Sequence, residues 1–301
     1  MNKKSKVSIL GYGEMGHAMQ HLLSPFHDVF IWDKFPQPGF EPAILDDIIP
    51  QSDFVLFCLP VNPHREIVNL IKPLLKKNSI CLSIAKGLDE SGQTAAQIFQ
   101  DVLNDVHPFV MVYGPMISEE IRADRYAFAE LGCKRQKACE KTRELFQHSK
   151  LHLSDTTDIT GISWSVILKN VYALLFGMSD ELKLGDNMRG FLAVESVSEL
   201  NEIVISMGGE PGSPYYLAGL GDLITTATSE DSHHHSLGRQ LARGDRTHIT
   251  GEGVHTLEMV TKHKLFRKDD YPLFALVHDI VKNNTHIEAI LIKYINKQLS
   301  T

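Results

Sequence analysis

The chain has 301 residues, 43% hydrophobic and 22% charged, with a formal charge of −7. Single cores rarely grow past ~250–300 residues, so this length suits two of them. The acidic balance argues against nucleic acid or an anionic membrane surface as a partner.

The basic start, Met1 to Lys6, is followed only by Val7–Leu10 before a glycine turn, too short for the apolar core of a secretory leader. No apolar run approaches the ~20 residues of a membrane span, so no integral membrane contact and a cytoplasmic location are expected. Val7–Leu10 reads as a strand that runs into Gly11-Tyr-Gly13-Glu14-Met15-Gly16 and then a helix. Strand, G-x-G-x-x-G and helix in that order form a dinucleotide fingerprint, in which the glycines permit the turn and the helix start takes the pyrophosphate. Glu14 fits only if its side chain points to solvent. A second strand, Asp28–Trp32, ends in Asp33, 17 residues after Gly16. An acid there can accept hydrogen bonds from a ribose and repel a 2′-phosphate, which favours NAD over NADP. His17 and His21 stand four apart on the first helix. With no third ligand in view they are expected at the surface or in the core, not on a metal.

Strands and helices then alternate: strand Phe54–Leu59, helix His64–Leu75, strand Ser79–Ala85, helix Gly92–Val102, strand Phe109–Tyr113, helix Gln136–His148 and strand Leu151–Leu153. Continuous apolar strands between helices predict a parallel sheet covered on both faces, with ligands beyond the strands' carboxyl ends. Three such ends are Leu59-Pro60, Ala85-Lys86-Gly87 and Tyr113-Gly114-Pro115. Lys86 is either a cofactor-side lysine or an exposed loop lysine. The four cysteines, Cys58, Cys81, Cys133 and Cys139, make no C-x-x-C pair, and reduced thiols are expected.

Beyond about Thr157 the strand signals stop, which predicts a dinucleotide-binding domain over 1–157 and a helical domain over 158–301. Apolar periodicity predicts helices over Ile159–Gly185, Gly190–Met207, His234–Ala242, Val254–His263, Leu273–Lys282 and His286–Gln298. The segment from Ser154 to Asp158 is a candidate cap for the first of these, which is apolar nearly all round. It carries Lys169-Asn170. A buried ammonium is costly unless paired, so Lys169 either snorkels to water or is a catalytic lysine with a partner. Between helices lies Gly219–Thr228, with Asp222 as its lone acid, read as a helix cap or as that partner. The run His233–His235 does not converge on one point along a helix, so no metal site is expected.

Taken together, GYGEMG, FCLP with PHREIV, AKGL, YGP, ILKNVYAL, the N-x-R from Asn187, GLGDLITTATSEDS with LGRQLARG, and the GEG of Gly251–Gly253 resemble the NAD(P)-dependent glycerol-3-phosphate dehydrogenase family of bacterial type. The resemblance spans nearly the whole chain in the family's order. It implies that Lys169 transfers the proton and that Lys86 is the second lysine, at cofactor and substrate. Asp222 would be the acid beside Lys169, with Asn170 and Thr226 around the substrate. Gly114 and Ser118 would lie on the cofactor-contacting turn and Glu252 on the nicotinamide side. Ser232, with His233 and His234 after it, falls where the family grips the substrate phosphate.

There the chain departs from the pattern, since the family's serine is followed by Arg-Asn. A permanently charged fork becomes an imidazole of ordinary pKa ~6.5. Glu195 also stands where the family usually has arginine, and Met116-Ile117 where it has serine or threonine with phenylalanine. The expectation is therefore an α/β Rossmann-type domain followed by an all-α domain, with the active site in the cleft between them. The expected reaction is NAD-dependent interconversion of dihydroxyacetone phosphate and sn-glycerol 3-phosphate, with a small phosphorylated substrate, no nucleic acid and a possible homodimer. Two alternatives stay open: a related dehydrogenase of another hydroxy or keto acid or phosphate, and a catalytically silent NAD-binding regulator.

Overall fold

The computed structural model describes residues 4–104, 106–229, 232–283 and 286–299. Two stretches of the sequence reading, Met1–Lys3 and Glu230-Asp231, lie outside the described residues. The chain forms two compact units, one running to Asp89 and from Gln93 to Ile159, the other taking Glu90–Gly92 and the chain from Thr160 on.

The first unit follows the order β1 (Lys6–Leu10), α1 (Glu14–Leu23), β2 (Asp28–Trp32), α2 (Leu45–Ile48), β3 (Phe54–Phe57), α3 (His64–Ile71), β4 (Ile80–Ser83), α4 (Ala95–Leu103), β5 (Phe109–Tyr113), α5 (Ser118–Arg122), β6 (Ala127–Gly132), α6 (Gln136–Phe146) and β7 (Leu151–Thr156). The sheet order is β2-β1-β3-β4-β5-β6-β7, so the chain reverses direction beside β1 and the turn after β1 opens at the reversal. The inner strands are buried along both faces, as their unbroken apolar sequences require. α4 starts with a reciprocal cap, in which Thr94 Oγ1 accepts from Gln97 N–H and Gln97 Oε1 accepts from Thr94 N–H.

Four features of this unit correct the sequence reading. The sheet is not wholly parallel: β5 and β6 run antiparallel, Val112 opposite Leu131, while the other five pairings are parallel. β6 itself was not expected, because Ala127–Gly132 mixes alanines, Glu130 and Gly132 and shows no apolar run. Its strand character comes from pairing with β5 and β7. Cys133 and Cys139 are joined by a disulfide with Cα atoms 6.2 Å apart, where four reduced thiols were expected. Cys133 leaves β6 and Cys139 lies in the first turns of α6, so the topology brings together two residues whose spacing carries no signal. Cys58 and Cys81 stay free, and burial pushes both thiols up, that of Cys81 to about 12. Ser154–Thr156, expected as a helix cap, are the last residues of β7.

The second unit is helical: α7 (Ile159–Glu181), α8 (Asp186–Ser206), α9 (Asp222–Thr228), α10 (His233–Ala242), α11 (Glu252–His263), α12 (Pro272–Lys282) and α13 (Ile287–Leu299). α7 is its axis, buried without interruption from Gly161 to Ser179. With a mean hydropathy of 1.4 over 18 residues it is long and apolar enough to cross a membrane, yet 94% of that window is buried inside the protein. Ser163, Ser165, Lys169 and Asn170 break the run in the sequence but not in the helix. Neighbouring helices seat on the α7 backbone. A Cβ on Gly238 of α10 would fall 2.1 Å from the Leu174 carbonyl, and one on Gly253 of α11 would fall 2.6 Å from that of Asn170. Gly219–Thr228, expected as a connection, is wound instead: a π-helical turn over Leu217–Gly221 runs into α9. Such turns are rare and concentrate at functional sites.

Candidate active site

In the sheet unit, the turn after β1 is built for a close ligand. Gly11 has φ +98° and donates to the Trp32 carbonyl at 2.8 Å. A Cβ on Gly16 would lie 2.2 Å from the Gly11 carbonyl oxygen, so α1 could not start this close to β1 with any other residue. Gly13, the residue before α1, has no atom within 4 Å of where a Cβ would be, and the helix start carries no side-chain cap. Its first N–H groups are therefore available to an anion. Glu14 is exposed, and its carboxylate pairs with Arg122 of α5 at 2.5 Å. Met15 packs against the sheet core. Asp33 holds the turn from the β2 side: Oδ2 accepts from Tyr12 N–H at 2.6 Å and Oδ1 from Phe35 N–H at 2.7 Å. Each oxygen keeps a lone pair for a ribose hydroxyl. These features fit a dinucleotide.

Around the other strand ends, Pro60 is exposed beyond β3. Lys86 lies beyond β4, half-buried, and its Nζ donates to the Gly114 carbonyl at 3.1 Å. Gly114 follows β5 and lies so close to β6 that a Cβ would meet the Phe128 carbonyl at 2.4 Å. Ser118 opens α5, buried, with Oγ donating to Glu119 Oε2 at 2.8 Å. The structure thus brings Lys86 and Gly114 into contact and ties Asp33 to the glycine turn.

The helical unit contains a buried ion pair. Lys169 Nζ lies 3.1 Å from Asp222 Oδ2, with both side chains nearly inaccessible to solvent. Thr226 completes the group: its Oγ1 donates to the Asp222 carbonyl at 2.7 Å and accepts from Lys169 Nζ at 2.5 Å. The ammonium thus meets a carboxylate and a hydroxyl lone pair, which is what a buried charge requires. Asp222 opens α9, one turn before Thr226, so the two project together. Asn170 is buried next to Lys169, and its carbonyl faces Gly253 of α11.

The histidines gather at the starts of α10 and α11. Ser232 caps α10, its side chain accepting from His235 N–H at 3.2 Å. His233 is exposed and bonded through Nε2 to the Thr250 carbonyl at 3.0 Å, which makes that nitrogen the donor. The Gly253 N–H donates to His234 Nε2 at 3.3 Å, so that imidazole is an acceptor there. Glu252 opens α11 between them. His235 points elsewhere, onto Asp180 of α7 at 2.7 Å. Asp180 also holds Arg189 of the N-x-R motif at 2.7 Å. Among the described residues no group of three or more His, Cys, Asp or Glu is placed to hold a metal.

Sequence reasoning passed over Glu199 and His64. Glu199, on α8, accepts from Tyr172 OH at 2.8 Å and from the N–H groups of Leu273 and Phe274 at 2.7 and 2.6 Å, anchoring the start of α12. Burial pushes its carboxyl up to about 7 against these hydrogen bonds. Glu195, one turn earlier, accepts from Tyr294 OH at 2.9 Å, so the residue that departs from the family pattern is engaged with α13. A glutamate on an otherwise apolar helix stripe was the available signal for Glu199.

Two models of one family match the chain: the NAD-dependent glycerol-3-phosphate dehydrogenase N-terminus over residues 41–139 and its C-terminus over 158–292. A Lactobacillus delbrueckii subsp. bulgaricus protein named glycerol-3-phosphate dehydrogenase (NAD(P)+) 2 is 29% identical over 271 residues, 80% of each chain. A Nitratidesulfovibrio vulgaris glycerol-3-phosphate dehydrogenase is 26% identical over 312 residues, covering 91% of this chain and 94% of its own. The crystal structure of glycerol-3-phosphate dehydrogenase from Coxiella burnetii superposes with a TM-score of 0.83 at 22% identity, covering 97% of this chain and 99% of that one, and so shares its fold. The chain belongs to the NAD-dependent glycerol-3-phosphate dehydrogenase family.

Proposed function

We propose that the protein is an NAD-dependent dehydrogenase that interconverts dihydroxyacetone phosphate and sn-glycerol 3-phosphate. The observation that carries this reading is the buried Lys169–Asp222–Thr226 group. A nicotinamide dinucleotide held at the glycine turn would supply or accept the hydride. Everything else falls to the protein. As the ketone is reduced, negative charge grows on its oxygen, and Lys169 Nζ is the proton donor to that oxygen. Asp222 keeps Lys169 in the ammonium form, since an opposite charge favours the ionised state. The Thr226 hydroxyl, its own hydrogen committed to the Asp222 carbonyl, presents a lone pair that fixes where the ammonium points. In the reverse direction the deprotonated Lys169 takes the proton back. Asn170 offers a side-chain amide to the substrate. The role proposed for Lys86 is electrostatic: it supplies positive charge to the oxygen that becomes negative. Gly11, Gly13, Glu14, Met15 and Gly16, together with Asp33, Pro60, Gly114 and Ser118, make up the proposed cofactor surface of the sheet unit.

Ser232, His233 and His234 are proposed to receive the substrate phosphate, with the N–H groups opening α10. The Nε2 atoms of both histidines are bonded to the start of α11, which leaves a weaker grip than an arginine fork. That observation supports a second reading, the same chemistry on another small hydroxy or keto acid or phosphate. The intact lysine pair disfavours a silent binder. NADH oxidation on adding dihydroxyacetone phosphate, with sn-glycerol 3-phosphate as the product, tests the first reading. Turnover of a keto acid in its place would favour the second. We also propose a cytoplasmic location. A homodimer is supported by Val194 and Ile205, exposed on one face of α8. Sedimentation at the mass of one 33.8 kDa chain would refute it.

A further inference from the structure

His64 is a fully buried polar side chain that the mechanism above does not use. It opens α3 and lies among aromatic rings, its centroid 5.1 Å from that of Phe57 and 5.7 Å from that of Phe99. A leucine or phenylalanine would fill that space without the cost of burying an imidazole. What the imidazole adds is two hydrogen bonds. Nδ1 lies 2.8 Å from the Pro60 carbonyl, which can only accept, so the hydrogen sits on Nδ1. Nε2, then bare, accepts from Ser83 Oγ at 2.9 Å, and Ser83 Oγ in turn accepts from the Ala85 N–H at 3.2 Å. Burial draws the imidazole down to about 4, so it is neutral at neutral pH and the tautomer is fixed.

Both chains of bonds end beyond strand termini. One reaches Pro60, after β3. The other reaches Ala85, after β4, the residue before Lys86, whose ammonium continues to the Gly114 carbonyl after β5. A relay Pro60–His64–Ser83–Ala85 therefore links neighbouring turns at the carboxyl edge of the sheet. This inference rests on the proposed cofactor and Lys86 roles. We propose that His64 is a positioning residue, holding the Pro60 turn for the dinucleotide and, through Ser83, the Ala85–Lys86 turn for catalysis.

Three variants of the full chain separate the two arms. Asparagine places an N–H where Nδ1 stands, so His64→Asn keeps the Pro60 bond and loses Ser83. Glutamine places an acceptor near Nε2, so His64→Gln keeps Ser83 and loses Pro60. Ser83→Ala, a mild change that leaves the histidine in place, cuts the second arm alone. One neutral hydrogen bond corresponds to roughly three- to tenfold in an equilibrium or rate constant. His64→Gln should raise the NADH dissociation constant, read by fluorescence titration, by that factor with kcat at saturating NADH within about twofold. His64→Asn and Ser83→Ala should lower kcat by a similar factor and leave NADH binding within about twofold. Lowered melting temperatures with both constants unchanged in the folded enzyme would overturn the proposal and leave His64 a core residue. Both constants shifting together in all three variants would overturn it too. The NADH titration needs no substrate. Wild type that binds NADH without turning over dihydroxyacetone phosphate would therefore sink the reaction reading, while the His64→Gln titration still decides the positioning role.

Discussion

Replacing Asp222 with asparagine keeps the side chain's shape and removes its charge from a site almost closed to solvent, 3.1 Å from the Lys169 ammonium. Breaking a buried pair from one side leaves the other charge uncompensated and costs ~3–5 kcal/mol. Thr226 softens this only partly, because a hydroxyl is a neutral acceptor. Urea unfolding, followed by the fluorescence of Trp164, which lies buried on α7 five residues before Lys169, should show a loss of that size at pH 7. Replacing both partners with apolar residues of similar volume, Lys169→Met with Asp222→Leu, removes charge and counter-charge together and should restore most of the stability. Activity should separate from stability: Asp222→Asn should lower kcat by ~10²–10⁴ and the double variant should stay inactive despite its recovered fold. An Asp222→Asn protein within ~0.5 kcal/mol of wild type would refute the reasoning, because such a cost is expected only of surface changes.

The remaining predictions concern pH, the substrate and the cofactor. Glu199 titrates near 7 in the folded protein against an ordinary 4.5, so between those values the folded state holds a proton that the unfolded chain has released. Its contribution therefore makes stability fall as pH rises through that window and level off above it, by on the order of 3 kcal/mol in all. Glu199→Gln should flatten the slope between pH 5 and 7.5 in thermal melts, and parallel slopes for the two proteins would contradict the assignment. If His233 grips the substrate phosphate, His233→Ala should raise KM for dihydroxyacetone phosphate roughly ten- to a hundredfold. An unchanged KM with activity intact would exclude that grip. Asp33→Ala should narrow the preference for NADH over NADPH, and an unchanged ratio of kcat/KM values would show that another group discriminates.

How much of this was legible in the chain depends on the range over which each feature is encoded. The β1–turn–α1 unit could be read because strand, glycines and helix are consecutive, and the α7, α8 and α10–α13 helices because burial repeats within a few residues; α9, expected as a connection, was not read. Lys169 stood out because an ammonium in an apolar helix is locally inconsistent. Its pairing with Asp222 was an expectation until the fold brought the two together. β6 was invisible because its stability comes from β5 and β7, not from its own side chains. The Cys133–Cys139 disulfide was missed because it depends on where β6 ends and α6 begins. Glu199 and His64 sit on elements that were read correctly as helices. Their roles lie in bonds to backbone atoms far away in the sequence, at Leu273–Phe274 for Glu199 and at the Pro60 turn and β4 for His64. Apolar periodicity places a residue on a buried face but does not say which backbone group it will meet there.

The central claim is that Lys169 carries the proton for reduction of dihydroxyacetone phosphate by NADH. It is tested most directly by following NADH absorbance at pH 6.5 for wild type and Lys169→Ala side by side, with NADH binding measured on both. The account predicts turnover in wild type and a fall of at least ~10² in the variant, with NADH affinity preserved. A Lys169→Ala enzyme that still turns over at a rate close to wild type would contradict it.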